Sequence, residues 1–386
     1  MDQQTDRVPL LFTPMAVRGV TTKNRVMLSP MANYSADDGV PGDWHLVHLG
    51  KMAVGGAGIV IAEATAVTRE GRITNGDTGL WDDGQISPWA RIVDFVRDQG
   101  AVPGIQLAHA GRKGSMQRAF RGNGPLTEAD IAPGEETWQP VGPTADPIDQ
   151  GFLTPRAFST DELQSLTDAW VAAAQRALAA GFEWLEIHNA HGYLVHQFLS
   201  PLSNTRNDGY GGDFEGRVRW PLELAKALRE TWPADKPVSV RISAVDGDAL
   251  GWQMADSIEY ARRLKEIGID FVCTSSGGLK GSATNARVKR DFGYQVPDAA
   301  QIRRDAGMPS IAVGLILDPA HAEQILQNGE ADIIAIGREA LVNPNWPLHA
   351  EAALGRPMLD ALDDWPEQYG WWLKFRERTL QAMRDG

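Results

Sequence analysis

The chain has 386 residues, 43% of them hydrophobic and 23% charged, which is ordinary globular composition and excludes wholesale disorder. Lys and Arg total 37 against 50 Asp and Glu, so the net charge is −13, a poor match for nucleic acid or an anionic membrane, although a local cluster can still hold one phosphate. The single cysteine, Cys273, excludes an internal disulfide and any cysteine-ligated zinc or iron–sulfur centre, and it suits a reducing cytoplasm.

The predicted elements alternate. In chain order they are a β-like run at Arg25–Leu28, a helical pattern at His45–Val54, a run at Gly58–Glu63, a helix at Pro88–Gln99 and a run at Val102–Leu107. Gly111–Ser159 follows, too long for a single connection and carrying six prolines (Pro125, Pro133, Pro140, Pro143, Pro147 and Pro155). It reads as an excursion over one face of the fold, with a flexible surface loop as the other reading of its middle. The alternation then resumes: helix Asp161–Ala180, run Trp184–His188, helix Glu215–Thr231, run Val238–Ile242, helix Asp256–Ile267, run Phe271–Thr274, helix Asp298–Ala306, run Ser310–Val313, helix Pro319–Gln327 and run Asp332–Ile336.

In the first of these later helices, Leu163, Leu166, Trp170, Ala173, Ala177 and Leu178 keep helical spacing, and Gly181 suits a left-handed C-cap. Most of the β-like runs are continuously apolar rather than alternating, as expected of parallel strands covered on both faces. Eight such runs interleaved with helices predict a (β/α)8 TIM barrel, one domain over residues 1–386, with a capping excursion at 111–159 and a tail at 360–386. No run approaches the length of a membrane span, and Met1–Arg7 is polar without a signal-peptide core. The tail carries Trp365, Tyr369, Trp371, Trp372 and Phe375, a density that calls for burial on its own barrel or on a partner subunit.

Barrels of this type carry their chemistry at the C-terminal ends of the strands. There the sequence places Ser29-Pro30-Met31-Ala32-Asn33-Tyr34, Glu63-Ala64-Thr65, Gln106 and His109-Ala110-Gly111-Arg112, His188-Asn189-Ala190-His191-Gly192-Tyr193, Arg241, Ser275-Ser276-Gly277-Gly278, Gly314 and Gly337-Arg338. Gly314 and Gly337-Arg338 follow strands seven and eight, where barrels often bind phosphate; ordinary strand-end turns are the alternative. His188 and His191 could ligate a metal, pack, or donate to a carbonyl or phenolate oxygen. With no supporting carboxylate pattern a metal is not expected, and the donor reading is preferred. Tyr193 could deliver a proton or simply pack. Arg241 inside a strand calls for an anion or an electron-rich ring, and the Gln106 amide suits the polar edge of a heterocycle. His45 and His48 read as structural, His196 as a helix residue, His321 and His349 as surface residues, and Cys273 as a buried thiol rather than a nucleophile.

Taken together these segments resemble the old yellow enzyme family, the flavin-dependent ene-reductases. The matching stretches are Asn24-Arg25 with Ser29-Pro30-Met31, Glu63-Ala64-Thr65-Ala66-Val67 with Glu70-Gly71-Arg72-Ile73, Gly104–Lys113, Glu186–Leu194, Phe198–Asn204, Arg206, Tyr210-Gly211-Gly212 and Ile336-Gly337-Arg338-Glu339. The histidine pair and Lys113 are similar to the thermophilic-like or xenobiotic-reductase branch.

The resemblance implies tightly bound FMN, with NADPH or NADH as a transient reductant. Ser29, Pro30 and Ala32 would flank the ring, Ala64 would lie near its polar edge, and Gln106 would bond the pyrimidine. Arg241 would sit beside N1 and O2, while Gly314, Gly337 and Arg338 would hold the phosphate. His188 and His191, with Tyr34 beside them, would bind the activating oxygen of an α,β-unsaturated carbonyl substrate, and Tyr193 would protonate it after hydride transfer, in ping-pong order. A homodimer or homotetramer is expected.

Two departures stand out. Ala32 occupies a position that is usually cysteine in this branch, which keeps a flavin-dependent dehydrogenase, desaturase or demethylase as the alternative. In some relatives an arginine of the C-terminal tail enters the neighbouring subunit's site; here the similar Gln368-Tyr369 stretch continues into Gly370-Trp371-Trp372, which would place Trp371 in that substrate pocket. The larger iron–sulfur members of this barrel group need four cysteines and further domains, and one cysteine in 386 residues excludes them.

Overall fold

A computed structural model describes residues 8–279 and 289–385. The strands are β1 (Met15–Val17), β2 (Val20–Thr22), β3 (Val26–Leu28), β4 (Ile59–Ala66), β5 (Val102–Ala108), β6 (Val141–Gly142), β7 (Arg156–Ala157), β8 (Trp184–Asn189), β9 (Val238–Ser243), β10 (Phe271–Ser275), β11 (Ser310–Ala312) and β12 (Ile333–Ile336). The helices are α1 (Asp43–Val54), α2 (Ile86–Asp98), α3 (Thr160–Ala179), α4 (Leu194–Leu199), α5 (Phe214–Thr231), α6 (Met254–Ile267), α7 (Val296–Ala306), α8 (Pro319–Gln327), α9 (Arg338–Val342), α10 (Trp346–Ala353), α11 (Met358–Ala361) and α12 (Glu367–Asp385). Strands β3, β4, β5 and β8 to β12 close into one parallel barrel in the order β10-β11-β12-β3-β4-β5-β8-β9. All eight expected runs are barrel strands.

Local chemistry explains the elements. Helix α3 starts at Ser159, whose backbone N–H donates to Glu162 Oε2 (2.8 Å) while its Oγ accepts from the Glu162 N–H (3.3 Å), a reciprocal cap. Its apolar stripe Leu163, Leu166, Trp170, Ala173 and Ala177 is buried against the barrel, and Gly181 leaves the helix at φ +91°.

Strand alternation sorts the barrel interior by height. Met27, Ile59, Ile61, Val102, Trp184, Phe271, Ile311 and Ile333 form an apolar lower layer, closed by Val17 and Val20 of the β1–β2 hairpin. Two or four residues further along, the inward positions become Ser29, Glu63, Gln106, Glu186, His188, Arg241 and Ser275. Burial drives the lower half together, and the upper half is left polar at the C-terminal ends of the strands.

The excursion is built onto the barrel rather than loose at its middle. Strands β6 and β7 pair in it. The buried Arg72 guanidinium lies 5.6 Å from the Trp81 ring centroid and 4.7 Å from that of Trp138, and it donates to Glu136 Oε1 at 2.9 Å. The tail forms helix α12. Its aromatics do not bury on their own barrel: Tyr369, Trp371, Trp372 and Phe375 are all more than half exposed. No helix among the described residues is long and apolar enough to cross a membrane.

Candidate active site

Ser29, Pro30, His191, Arg241, Gly314, Gly337 and Arg338 line one cavity of about 210 Å3 at the C-terminal mouth of the barrel. Arg241 reaches from β9 to donate from Nη1 to Ser29 Oγ on the β3 side (2.9 Å), while its Nε is buried without a partner. A buried donor left unpaired costs about 1–3 kcal/mol, so this wall favours an acceptor-bearing guest. At the other end, Gly314 takes φ +128°, a conformation that residues with a side chain rarely adopt, and a Cβ there would also crowd the Gln295 and Tyr294 side chains, so the position favours glycine. An unpaired guanidinium N–H at one end and two strand-end glycines with Arg338 at the other match a heterocycle carrying a phosphate, and therefore fit the FMN expected from sequence.

His188, His191 and Tyr193 stand together where β8 leaves the barrel. Their rings meet edge to face, with centroids 5.1 Å apart for the histidines and 5.0 Å for His188 with Tyr193. The Ala190 N–H donates to His188 Nδ1 (3.3 Å), which puts the His188 proton on Nε2, 3.4 Å from His191 Nδ1. The His191 proton then lies on Nε2, 2.6 Å from Ser275 Oγ. Burial, then the Arg241 charge, holds both imidazoles well below their usual pKa, so each is a neutral ring with one N–H to donate. Burial pushes the Tyr193 phenol well above its usual value, so its proton is retained throughout the neutral range.

Tyr193 and Ala64 line a narrow cleft with Asp77, too tight to admit a water molecule. Gln106 lies inside the barrel, donating from Nε2 to Glu186 Oε1 at 2.8 Å. Ala32 is half-buried on the loop after β3. That loop is tied down by Asn33, whose backbone N–H donates to Glu63 Oε1 at 3.1 Å and whose amide donates to Glu63 Oε2. Tyr34 sits beyond it at φ +50°, edge-on to Phe120 at 6.2 Å. Trp371, on the exposed face of α12, lines neither of these two sites. Cys273 is buried in β10 with its thiol pushed up to about 12 by burial, so it is no nucleophile. His45, His48 and His196 are buried and His349 is exposed. Among the described residues no three His, Cys, Asp or Glu side chains come together to hold a metal.

Sequence reasoning missed part of this wall. Met31, Ser275, Tyr294, Gln295, the Leu315–Leu317 segment and Glu339 also line the larger cavity. Met31, Ser275 and Glu339 lay inside motifs already singled out. Tyr294, Gln295 and Leu315–Leu317 come from connections without periodicity, so nothing in the text marked them.

Comparison with known proteins gives a consistent result. The sequence profile of the NADH:flavin oxidoreductase / NADH oxidase family matches residues 10–356. An NADPH dehydrogenase of Geobacillus thermodenitrificans (strain NG80-2) is 43% identical over 348 residues, covering 90% of this chain and 95% of that protein. An NADPH dehydrogenase of Bacillus subtilis (strain 168) is 42% identical over 336 residues, 86% of this chain and 92% of its own. Among solved structures, morphinone reductase superposes with a TM-score of 0.73 at 27% identity, covering 90% of each chain. A 2-naphthoyl-CoA reductase superposes at 0.78 with 25% identity, and there the chain spans only 52% of the longer protein.

Proposed function

The chain belongs to the NADH:flavin oxidoreductase / NADH oxidase family, and from that premise we propose that it is an FMN-dependent NADPH oxidoreductase reducing the activated C=C bond of α,β-unsaturated carbonyl compounds. The observation that carries this reading is the pairing, on one strand-to-helix turn, of two neutral imidazole N–H donors with a phenol that keeps its proton. NADPH is favoured over NADH as reductant because the relatives at 42–43% identity bear the name NADPH dehydrogenase.

Bound FMN would supply the hydride-transfer chemistry. The chain's own residues do the rest. Ser29, Pro30, Ala32, Ala64, Gln106 and Arg241 would hold the ring system, with the Arg241 charge offsetting negative charge beside it. Gly314, Gly337 and Arg338 would hold the phosphate. His188 and His191 would exchange the bonds their Nε2–H groups make to His191 Nδ1 and Ser275 Oγ for bonds to the carbonyl oxygen of the substrate, which would withdraw electrons from the β-carbon. Tyr34 would flank the substrate, and Tyr193 gives its proton to the α-carbon and regains one from water. The same histidine donors would hold the nicotinamide amide of the reductant and then the enone, so the two ligands take turns. The lone, buried Cys273 accords with work in the cytoplasm.

Anaerobic titration tests this. NADPH should bleach the bound flavin, and 2-cyclohexenone should restore its colour as cyclohexanone forms. Bleaching that the enone cannot reverse would overturn the ene-reductase reading in favour of a dehydrogenase or demethylase, the direction that Ala32 leaves open. A chain unable to take up FMN would overturn the flavin assignment altogether.

A further inference from the structure

His191 and Gly192 both adopt left-handed backbone, at φ +59° and +73°. For His191, which carries a side chain, that region is disfavoured unless the surroundings enforce it. They do so through side chains alone. The His191 N–H donates to Ser243 Oγ (2.9 Å) and its carbonyl accepts from Lys113 Nζ (2.7 Å). The Gly192 N–H donates to His196 Nδ1 (2.8 Å) and its carbonyl accepts from Gln197 Nε2 (2.7 Å). Every backbone polar group of the two-residue turn is thus held by a side chain.

Two of these side chains also reach a second turn. Ser243 Oγ donates to the Gly277 carbonyl at 2.8 Å, and Lys113 Nζ donates to the Gly278 carbonyl. Gly277 and Gly278 are left-handed too, at φ +65° and +91°. The turns touch backbone to backbone: a Cβ on Gly192 would lie 2.4 Å from the Gly278 oxygen, and one on Gly278 would lie 2.7 Å from His191 Cα. The second turn follows β10, whose Ser275 accepts the His191 ring proton.

We propose that Ser243 and Lys113 are positioning residues: they clamp the turn after β8 to the turn after β10 and so fix the height and rotation of the His191 ring that receives the substrate oxygen. The proposal rests on the histidine pair being the oxygen site. Ser243 contributes one oxygen used as acceptor on one side and donor on the other, so its loss removes a bond from both turns at once. Lys113 is fully buried, and both its carbonyl partners belong to the clamped turns; Arg112 beside it donates from Nη2 to the Leu279 carbonyl (3.0 Å), which extends the same bracing by one residue.

The test uses FMN-loaded enzyme and a small phenol, 4-hydroxybenzaldehyde, read by the perturbation of flavin absorbance. Ser243→Ala and Lys113→Met should each raise the Kd of the phenol by about tenfold and change the difference spectrum. Ser243→Thr, which keeps the hydroxyl, should restore both to within about threefold of wild type. Wild-type Kd and spectrum in Ser243→Ala, even with a lowered Tm, would reduce the clamp to a stability device and overturn the proposal. If Lys113→Met does not fold, the Ser243 pair decides. His191→Ala separates the two readings. Unchanged phenol binding in that variant defeats the oxygen-site reading itself, whereas weakened binding there with unchanged Ser243→Ala defeats only the clamp.

Discussion

Tyr193 and the two histidines owe their chemistry to desolvation. Removed from water, an imidazole resists a second proton and a phenol resists losing its own, so the cluster presents donors whose protonation does not change near neutrality. Tyr193→Phe keeps the ring packed on His188 and removes only the proton. Reduction by NADPH should be unchanged, while reoxidation by 2-cyclohexenone should slow on the order of 10²-fold. Stopped-flow absorbance separates the halves, and equal reoxidation rates would show that water, not Tyr193, supplies the proton. Ala32 makes a second case. It lies on the same loop as Ser29 and Pro30 of the cavity wall, so Ala32→Cys should move the flavin midpoint potential, measured by dye equilibration; identical potentials would refute a tuning role. The placing of Arg241, Gln106 and His188 at the barrel interior was legible because charge or hydrogen-bonding capacity inside an apolar run is conspicuous. Tyr294 and Gln295 were not, because their closeness to Gly314 comes from the path of a connection rather than from any periodicity.

Elements were legible in proportion to how regularly they bury. The eight barrel strands and α3 declared themselves through apolar continuity and through cap residues. The β1–β2 hairpin did not, since three-residue strands contribute only Val17 and Val20 to the barrel floor. How elements are tied to one another was equally hidden, and Glu63 shows why that matters. Buried in β4, its carboxyl is pushed up from 4.5 to about 8, chiefly by desolvation and against the Asn33 hydrogen bonds that pull it down. A value raised by folding means that the fold holds the proton more tightly than the unfolded chain. The stabilisation is complete below the ordinary value and is lost as pH rises through about 8. Glu63→Gln keeps an acceptor for Asn33 and abolishes the titration. Its Tm relative to wild type should therefore improve between about pH 5 and about pH 9. Parallel pH profiles for the two proteins would mean that the carboxyl is already charged in the fold.

At the scale of the molecule, the barrel accounts for itself but α12 does not. Tyr369, Trp371, Trp372 and Phe375 are more than half exposed, with the Trp371 ring 4.5 Å from that of Trp372 and 4.8 Å from that of Phe375. Four half-exposed aromatics leave roughly 400 Å2 of apolar surface in water, the size of a functional patch. A standard interface needs roughly 800 Å2 per partner, so the stripe would be part of a subunit contact rather than all of it. We infer a homodimer or homotetramer in which α12 packs on a neighbour and brings Trp371 to that neighbour's substrate pocket, since it lines neither the large cavity at the barrel mouth nor the cleft beside Tyr193 in its own chain. Removing Asp360–Gly386 should then lower the sedimenting mass and raise the KM for 2-cyclohexenone, with FMN still bound because every predicted flavin contact lies in the barrel. Trp371→Ala should raise the KM by about tenfold without dissociating the assembly, because one truncated aromatic anchor typically costs more than 1 kcal/mol and leaves the rest of the contact in place. A truncated chain with wild-type mass and kinetics would leave the aromatic stripe without a role at the active site. A monomeric truncation with unchanged KM would make it an assembly surface only.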